Sequence, residues 1–207
     1  MKTDRSSSVL IVLVVTIAFF LPISGCSDLS DFSPAHIHNT RTPNSARLVS
    51  QISGVDYSEL DHALRTRQWK KADELTATLM LKVAGKLGYL DEKDIRQFPG
   101  EDLQLIDNLW LGHSHNKLGF SVQKQIWIKS GKPAGADYYG SDNRPGWIAF
   151  ENQVGWQGIN YSEIWRAYGK LNWANPQKFR GHLPGGIWMK GIIRQWEWAD
   201  LFYRPEI

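Results

Sequence analysis

A disulfide framework is excluded first, because the chain has a single cysteine, Cys26, and a folded state must come from packing alone. Long apolar runs are also missing. Val9–Leu21 is unbroken by charge but holds only 13 residues. As a helix it reaches about 20 Å, short of the roughly 30 Å of hydrocarbon in a bilayer. There is no block of five like charges, and 24 basic side chains nearly balance 21 acidic ones. That balance speaks against a nucleic-acid partner. The motifs of several common chemistries are absent as well: no GxxxxGK before Ser or Thr, no GxSxG, no HExxH and no CxxC. No internal repeat is present.

What is there begins with residues 1–25. Lys2 and Arg5 precede the short apolar run, and small residues follow it, the order of an export signal. Ile23-Ser24-Gly25-Cys26 then resembles the bacterial lipobox, whose cysteine becomes the lipid-bearing first residue of the mature protein. The expectation is a lipid anchor at Cys26 and an exported, membrane-tethered chain on a periplasmic or thylakoid-lumen face. The mature 182 residues carry 22 basic and 20 acidic side chains, a formal charge of +2. Residues 26–54 are polar, contain Pro34 and Pro43, and show little apolar periodicity, so they read as a flexible tether. Residues 55–207 are long enough for one domain with a core.

Within that domain the apolar spacing is helical. Tyr57, Leu60, Ala63 and Leu64 predict a helix with Asp56 as N-cap. Ala72, Leu75, Thr76, Leu79, Met80 and Val83 predict a second, starting near Trp69 and ending near Gly85 or Gly88. After the turn Phe98-Pro99-Gly100, Leu103, Ile106 and Trp110 line a third, with Asp102 and Asp107 read as solvated helix acids. Phe120–Ile128 fits a strand by composition and a helix by length. Residues 129–147 and 172–186 are punctuated by Gly, Pro, Asn and Asp, hence long loops, and 161–171 reads as helix.

Ten tryptophans are the compositional outlier, pointing to a stacking surface or a wide apolar cavity. The pair His113-x-His115 suggests a metal, but a zinc site needs three or four ligands and no Cys, His or Asp cluster accompanies it. No protein-bound metal is expected.

Several motifs in order resemble the genomes-uncoupled-four family. They are Tyr57-x-x-Leu60, Trp69-x-x-Ala72-Asp73-x-x-Thr76, and Phe98-Pro99-x-x-Asp102-Leu103-x-x-Ile106-Asp107-x-Leu109-Trp110. Ser114, Gly119-Phe120-Ser121-Val122-Gln123, Val154-Gly155-Trp156 and Gly181-His182-Leu183-Pro184 continue the series. The resemblance implies a mainly α fold, a helical core forming a cupped apolar palm covered by two long loops, here 129–153 and 172–186. It further implies a non-enzymatic protein that binds protoporphyrin IX or magnesium protoporphyrin IX, with relatives that stimulate magnesium chelatase and others that take bilins. The chelatase works on the opposite side of the membrane from an exported lipoprotein. The expectation for this chain is therefore a carrier, buffer or sensor of tetrapyrroles.

A porphyrin is a flat apolar disc with two propionates on one edge. Its burial needs apolar and aromatic walls, and its rim needs cations that keep the propionates paired. On this reading Trp110, Phe120, Trp127 and Trp156 form the wall, and Leu105, Ile106 and Leu109 complete it. Arg180, Lys178 and Arg144 are candidate propionate clamps, and His182 lies beside them in sequence. Three departures from the family stand out: Leu118-Gly119-Phe120 stands where the family has Phe-Gly-Phe, the stretch Trp173–Arg180 is longer than usual, and the aromatic tail after Pro184 has no assigned family role. Alternatives are a bilin or haem binder at the membrane surface, an interaction module on the same scaffold without a ligand, or a glycan-acting protein using Glu151 and Glu163.

Overall fold

Leu60, Ala63 and Leu64 close one apolar face of α1 (Ser58–Arg65), and all three are buried. Asp56 serves its N-terminus by accepting the Ser58 N–H at 2.8 Å. The chain then passes Arg67, at φ 57°, and enters α2 (Trp69–Val83). The buried face of α2 holds Ala72, Thr76, Ala77, Leu79 and Met80, and also Asp73. It stops at the expected place: Gly85 turns at φ 66° and its N–H returns to the Lys82 carbonyl.

These coordinates come from a computed structural model, which describes residues 48–131, 144–156, 167–193 and 198–207. The export segment, Cys26 and most of the tether lie outside the described residues, as do residues 161–166 of the helix expected over 161–171. Its described end is a 3₁₀ turn at Tyr168–Lys170.

A short α3 (Glu92–Arg96), not foreseen from periodicity, is set by a capping box between Asp91 and Asp94. Next comes α4 (Gly100–His113), with Leu103, Ile106 and Trp110 buried as the spacing predicts. The two acids on α4 are not solvated: Asp102 and Asp107 are both buried. Asp102 receives three hydroxyls, from Ser50 at 2.9 Å, Ser53 at 2.6 Å and Tyr57 at 2.7 Å. That arrangement also moves the domain boundary, since residues 48–54, expected as tether, are held on α4.

Asp107 explains α5 (Phe120–Lys129). Its carboxylate accepts the Ser121 N–H at 3.0 Å, capping a helix whose own N-cap residue, Gly119, has no side chain. A Cβ on Gly119 would stand 2.7 Å from Asp107 Oδ1, and its φ of 132° favours glycine independently. Capping by a distant carboxylate, together with a buried face of Phe120, Val122, Gln123, Ile126 and Trp127, overrides the β-branched composition.

The first expected cover is not all loop, because Arg144–Val154 forms helix α6. Trp147, Phe150 and Val154 are buried, at a helical spacing hidden by the Gly- and Pro-rich composition before it. Beyond a second 3₁₀ turn at Pro176–Lys178 come α7 (Gly186–Met189) and α8 (Trp198–Tyr203).

Helix α1 packs on α2 and α4, α2 also on α7, α5 on α6 and α8, and α3 on α8. Among the described residues regular structure is helical, apart from isolated bridges between Val49 and Asp56 and between Leu90 and Ile193. The fold is mainly α, as expected. None of the described helices is long and apolar enough to cross a membrane.

Candidate functional site

Rings on α5, α6 and α8, with Trp156 and Trp188, form one connected cluster. Trp127 on α5 meets Trp147 at 5.4 Å and Phe150 at 5.6 Å, both edge-on, and Phe150 in turn meets Trp156 at 5.7 Å. Phe202 on α8 extends the cluster toward Trp127 at 5.8 Å and Trp188 at 5.5 Å. Edge-to-face packing at these separations is favourable beyond simple area burial. Of the expected wall, Trp127 and Trp156 thus come together, joined through Phe150. Trp147, Phe150, Trp188 and Phe202 were missed; the spacing Trp147-x-x-Phe150-x-x-x-Val154 was the available signal on α6.

Trp110 belongs elsewhere. Its ring stacks on Trp69 at 6.3 Å, and its Nε1 donates to Thr76 Oγ1 at 2.9 Å. It is committed to contacts between α4 and α2, and Ile106 is buried in the same core, so the wall expected from Trp110 is occupied by helix contacts. Leu105 and Leu109 are partly buried against the core, and Phe120 is fully buried at the start of α5.

The loop before α7, expected as a cover, is tied down by polar side chains. Gln123 Nε2 donates to the carbonyls of Gly181 at 3.0 Å and Pro184 at 2.8 Å, across the cis Leu183–Pro184 peptide. His182 is buried with both ring nitrogens engaged. Nδ1 lies 2.7 Å from the Val154 carbonyl, and Nε2 accepts the Asn172 N–H at 3.0 Å. These partners define the neutral tautomer with the proton on Nδ1, and burial holds the imidazole pKa below its ordinary value. His182 therefore joins α6 to the loop. The Trp156 indole adds a bond to the His182 carbonyl at 2.9 Å.

Asp73 completes the loop's attachment. Its carboxylate accepts the Tyr168 hydroxyl at 2.9 Å and the N–H groups of Gly185 and Gly186 at 2.6 and 2.8 Å. Burial pushes its pKa up to about 6, against the three donors that favour the ionised form.

Two of the expected cations stand at the edge of this construction. Lys178 and Arg180 are exposed; Lys178 Nζ lies 5.3 Å from the centre of the Phe179 ring, and Arg180 donates to Gln125 Oε1 at 3.1 Å. Phe179 itself covers Gly155, where a Cβ would stand 2.5 Å from its Cγ. Arg144 begins α6, and its side chain lies outside the described residues. Glu151, also on α6, is half-buried and accepts the Trp147 indole N–H, and burial pushes its pKa up to about 7. Ile128 and Ile148 are exposed on the same two helices. Glu163 lies outside the described residues.

The H-x-H pair sits at the end of α4. His113 Nε2 lies 2.8 Å from Asp61 Oδ1, while Ser114 Oγ accepts the N–H groups of Lys117 and Leu118 to close the turn. Among the described residues no group of three His, Cys, Asp or Glu converges on a metal position.

Comparisons with known proteins agree with this architecture. A family model described as GUN4-like, the abbreviation of genomes uncoupled four, matches residues 50–200. "Uncharacterized protein ycf53" of Pyropia yezoensis is 32% identical over 148 residues, covering 67% of this chain and 53% of its own length. The "Tetrapyrrole-binding protein, chloroplastic" of Arabidopsis thaliana is 38% identical over 77 residues, 35% of this chain and 29% of its own. Among solved structures, ligand-free Arabidopsis thaliana GUN4 matches at a TM-score of 0.52 and 26% identity, covering 72% of this chain and 93% of that one. The chain spans about half the length of the longest-matching curated relatives.

Proposed function

The chain belongs to the GUN4-like family, and from that premise we propose that it binds a tetrapyrrole, protoporphyrin IX or magnesium protoporphyrin IX, without catalysing a reaction. It would serve as a carrier, buffer or sensor in porphyrin or chlorophyll metabolism. The observation that carries this reading is the ring cluster of Trp127, Trp147, Phe150 and Trp156 on α5 and α6, beside exposed Lys178 and Arg180. Flat apolar rings meeting edge-on provide the wall that a flat macrocycle needs. At roughly 25 cal/mol per Å² of apolar area, removing both faces of the disc from water is the main source of affinity. The two cations and Arg144 would pair the propionates. Seating the disc requires the rings of α6 to part from those of α5.

The proposal extends to location: a lipid on Cys26 and export would place the domain at a membrane face, away from magnesium chelatase. The test is a titration of the chain from Ser27 onward with deuteroporphyrin and magnesium protoporphyrin IX, following Soret absorbance and tryptophan quenching. Saturable binding in the micromolar range or below is expected. Unchanged spectra at tens of micromolar would remove the reading and favour a ligandless interaction module. For the anchor, Cys26→Ser is expected to release the protein from membranes.

A further inference from the structure

The buried stripe of α6 contains one residue that does not fit it. Trp147, Phe150, Glu151 and Val154 follow the i, i+3, i+4, i+7 spacing of a core-facing helix stripe. Trp147, Phe150 and Val154 are buried, and two of them are rings of the cluster. Glu151 stands half-buried among them, at the edge of the stripe nearest exposed Ile148. Its carboxylate is poorly compensated there. Oε1 accepts the Trp147 indole N–H, and Oε2 accepts no hydrogen bond among the described residues. No described cation pairs with it, so that single bond is what favours the charged form against burial. A carboxylate taken out of water is ordinarily paired with a cation or bound to a metal. Glu151 has neither.

We infer that Glu151 is an axial oxygen ligand for a magnesium ion carried at the centre of the bound macrocycle, and so selects the magnesium form over the metal-free one. The inference rests on tetrapyrrole binding at the α5–α6 rings. Four pyrrole nitrogens hold such an ion in the plane of the macrocycle and leave its axial positions open. Magnesium is a hard cation that takes oxygen donors, carboxylates among them. A macrocycle lying against Trp147 and Phe150 faces the stripe on which Glu151 stands. The Trp147 indole holds Oε1 and orients the side chain, which leaves Oε2 to ligate the metal. A metal-free macrocycle offers no cation, so it would cover the carboxylate without compensation. Selection therefore comes from a penalty on one form as well as an attraction to the other.

The experiment titrates the full chain with magnesium protoporphyrin IX and with metal-free protoporphyrin IX. Tryptophan quenching reports affinity, and the Soret and Q bands report axial ligation. The unaltered chain is expected to bind the magnesium form more tightly. Glu151→Gln, which keeps an acceptor for the Trp147 indole, should lower the ratio of the two affinities at least about tenfold. It should also change the bands of the bound magnesium form and leave those of the bound metal-free form in place. Glu151→Ala should do the same, with urea denaturation confirming that both variants fold. Three outcomes overturn the inference and leave tetrapyrrole binding standing: no preference for magnesium in the unaltered chain, a preference and bands that both variants keep, or an equal loss of affinity for both forms. Binding of neither form by the unaltered chain overturns both.

Discussion

The two halves of the helical domain are held by different forces. In the first, α1, α2 and α4 meet around hydrogen-bonded groups: Asp102 gathers three hydroxyls, and the Trp110 indole is bonded to Thr76. In the second, α6 rests on α5 through ring-to-ring contacts, with directional bonds concentrated at its C-terminal end, where His182 holds the Val154 carbonyl. Buried hydrogen bonds fix one geometry sharply, whereas edge-to-face rings prefer an orientation but accept a wider range of offsets and separations. The contrast assigns rigidity to the half that carries most of the family's motifs and adaptability to the half where a ligand would enter. The 181–186 loop lies between the two, joined to α2 by Asp73 and to α5 by Gln123.

Variants can break or sharpen that division. The largest effect is expected from Asp102→Ala, which leaves three hydroxyls without their acceptor. A loss of about 4 kcal/mol in urea unfolding is expected, with fast amide exchange over residues 48–54 and unchanged tetrapyrrole affinity in the fraction that folds. Phe150→Ala should cost about 3 kcal/mol, since it removes the ring that joins Trp127 to Trp156, and should also weaken tetrapyrrole binding. If Phe150→Ala destabilises the chain while affinity is unchanged, the second half is merely core.

The smallest effect is electrostatic. The Glu151 pKa is raised to about 7 from 4.5, so its contribution to stability is fully present below pH 4.5 and is lost as pH rises through 7. Because the group is only half-buried, solvent screening leaves about 1 kcal/mol of that. Glu151→Gln should flatten the decline in stability between pH 5 and 7.5. His182 acts in the opposite direction. Its lowered pKa means that stability is present above 6.5 and is lost as pH falls below it, and the Glu151 variant should leave that acid limb intact.

The sequence carried the first half well, because helices α1, α2 and α4 show their period in Leu60, Leu64, Leu79, Leu103 and Ile106. It carried the second half poorly for three reasons. The cap of α5 is Asp107, on another helix, and no local signal reveals a tertiary cap. The expected cover hid α6 behind Gly131, Pro133, Gly135, Gly140 and Pro145, composition that reads as loop until Trp147, Phe150 and Val154 are counted together. The aromatic tail had no assigned place. In the structure Phe202 enters the ring cluster, and Arg204 donates to the Ile95 carbonyl at 2.7 Å and pairs with Glu206 at 2.6 Å. Buried acids escaped for a related reason. Asp73, Asp102 and Asp107 all sit inside quoted motifs, yet an acid on a helix is most often solvated, and only their partners show otherwise.

The central claim is that the α5–α6 rings, and not the Trp110–Trp69 stack, receive the tetrapyrrole. The most direct test compares magnesium protoporphyrin IX affinity in Trp127→Leu and Trp110→Leu, each checked for folding by urea denaturation. The account predicts at least about a tenfold weaker Kd for Trp127→Leu and an unchanged Kd for Trp110→Leu despite its lower stability. An unchanged Kd in Trp127→Leu together with lost binding in folded Trp110→Leu would contradict it.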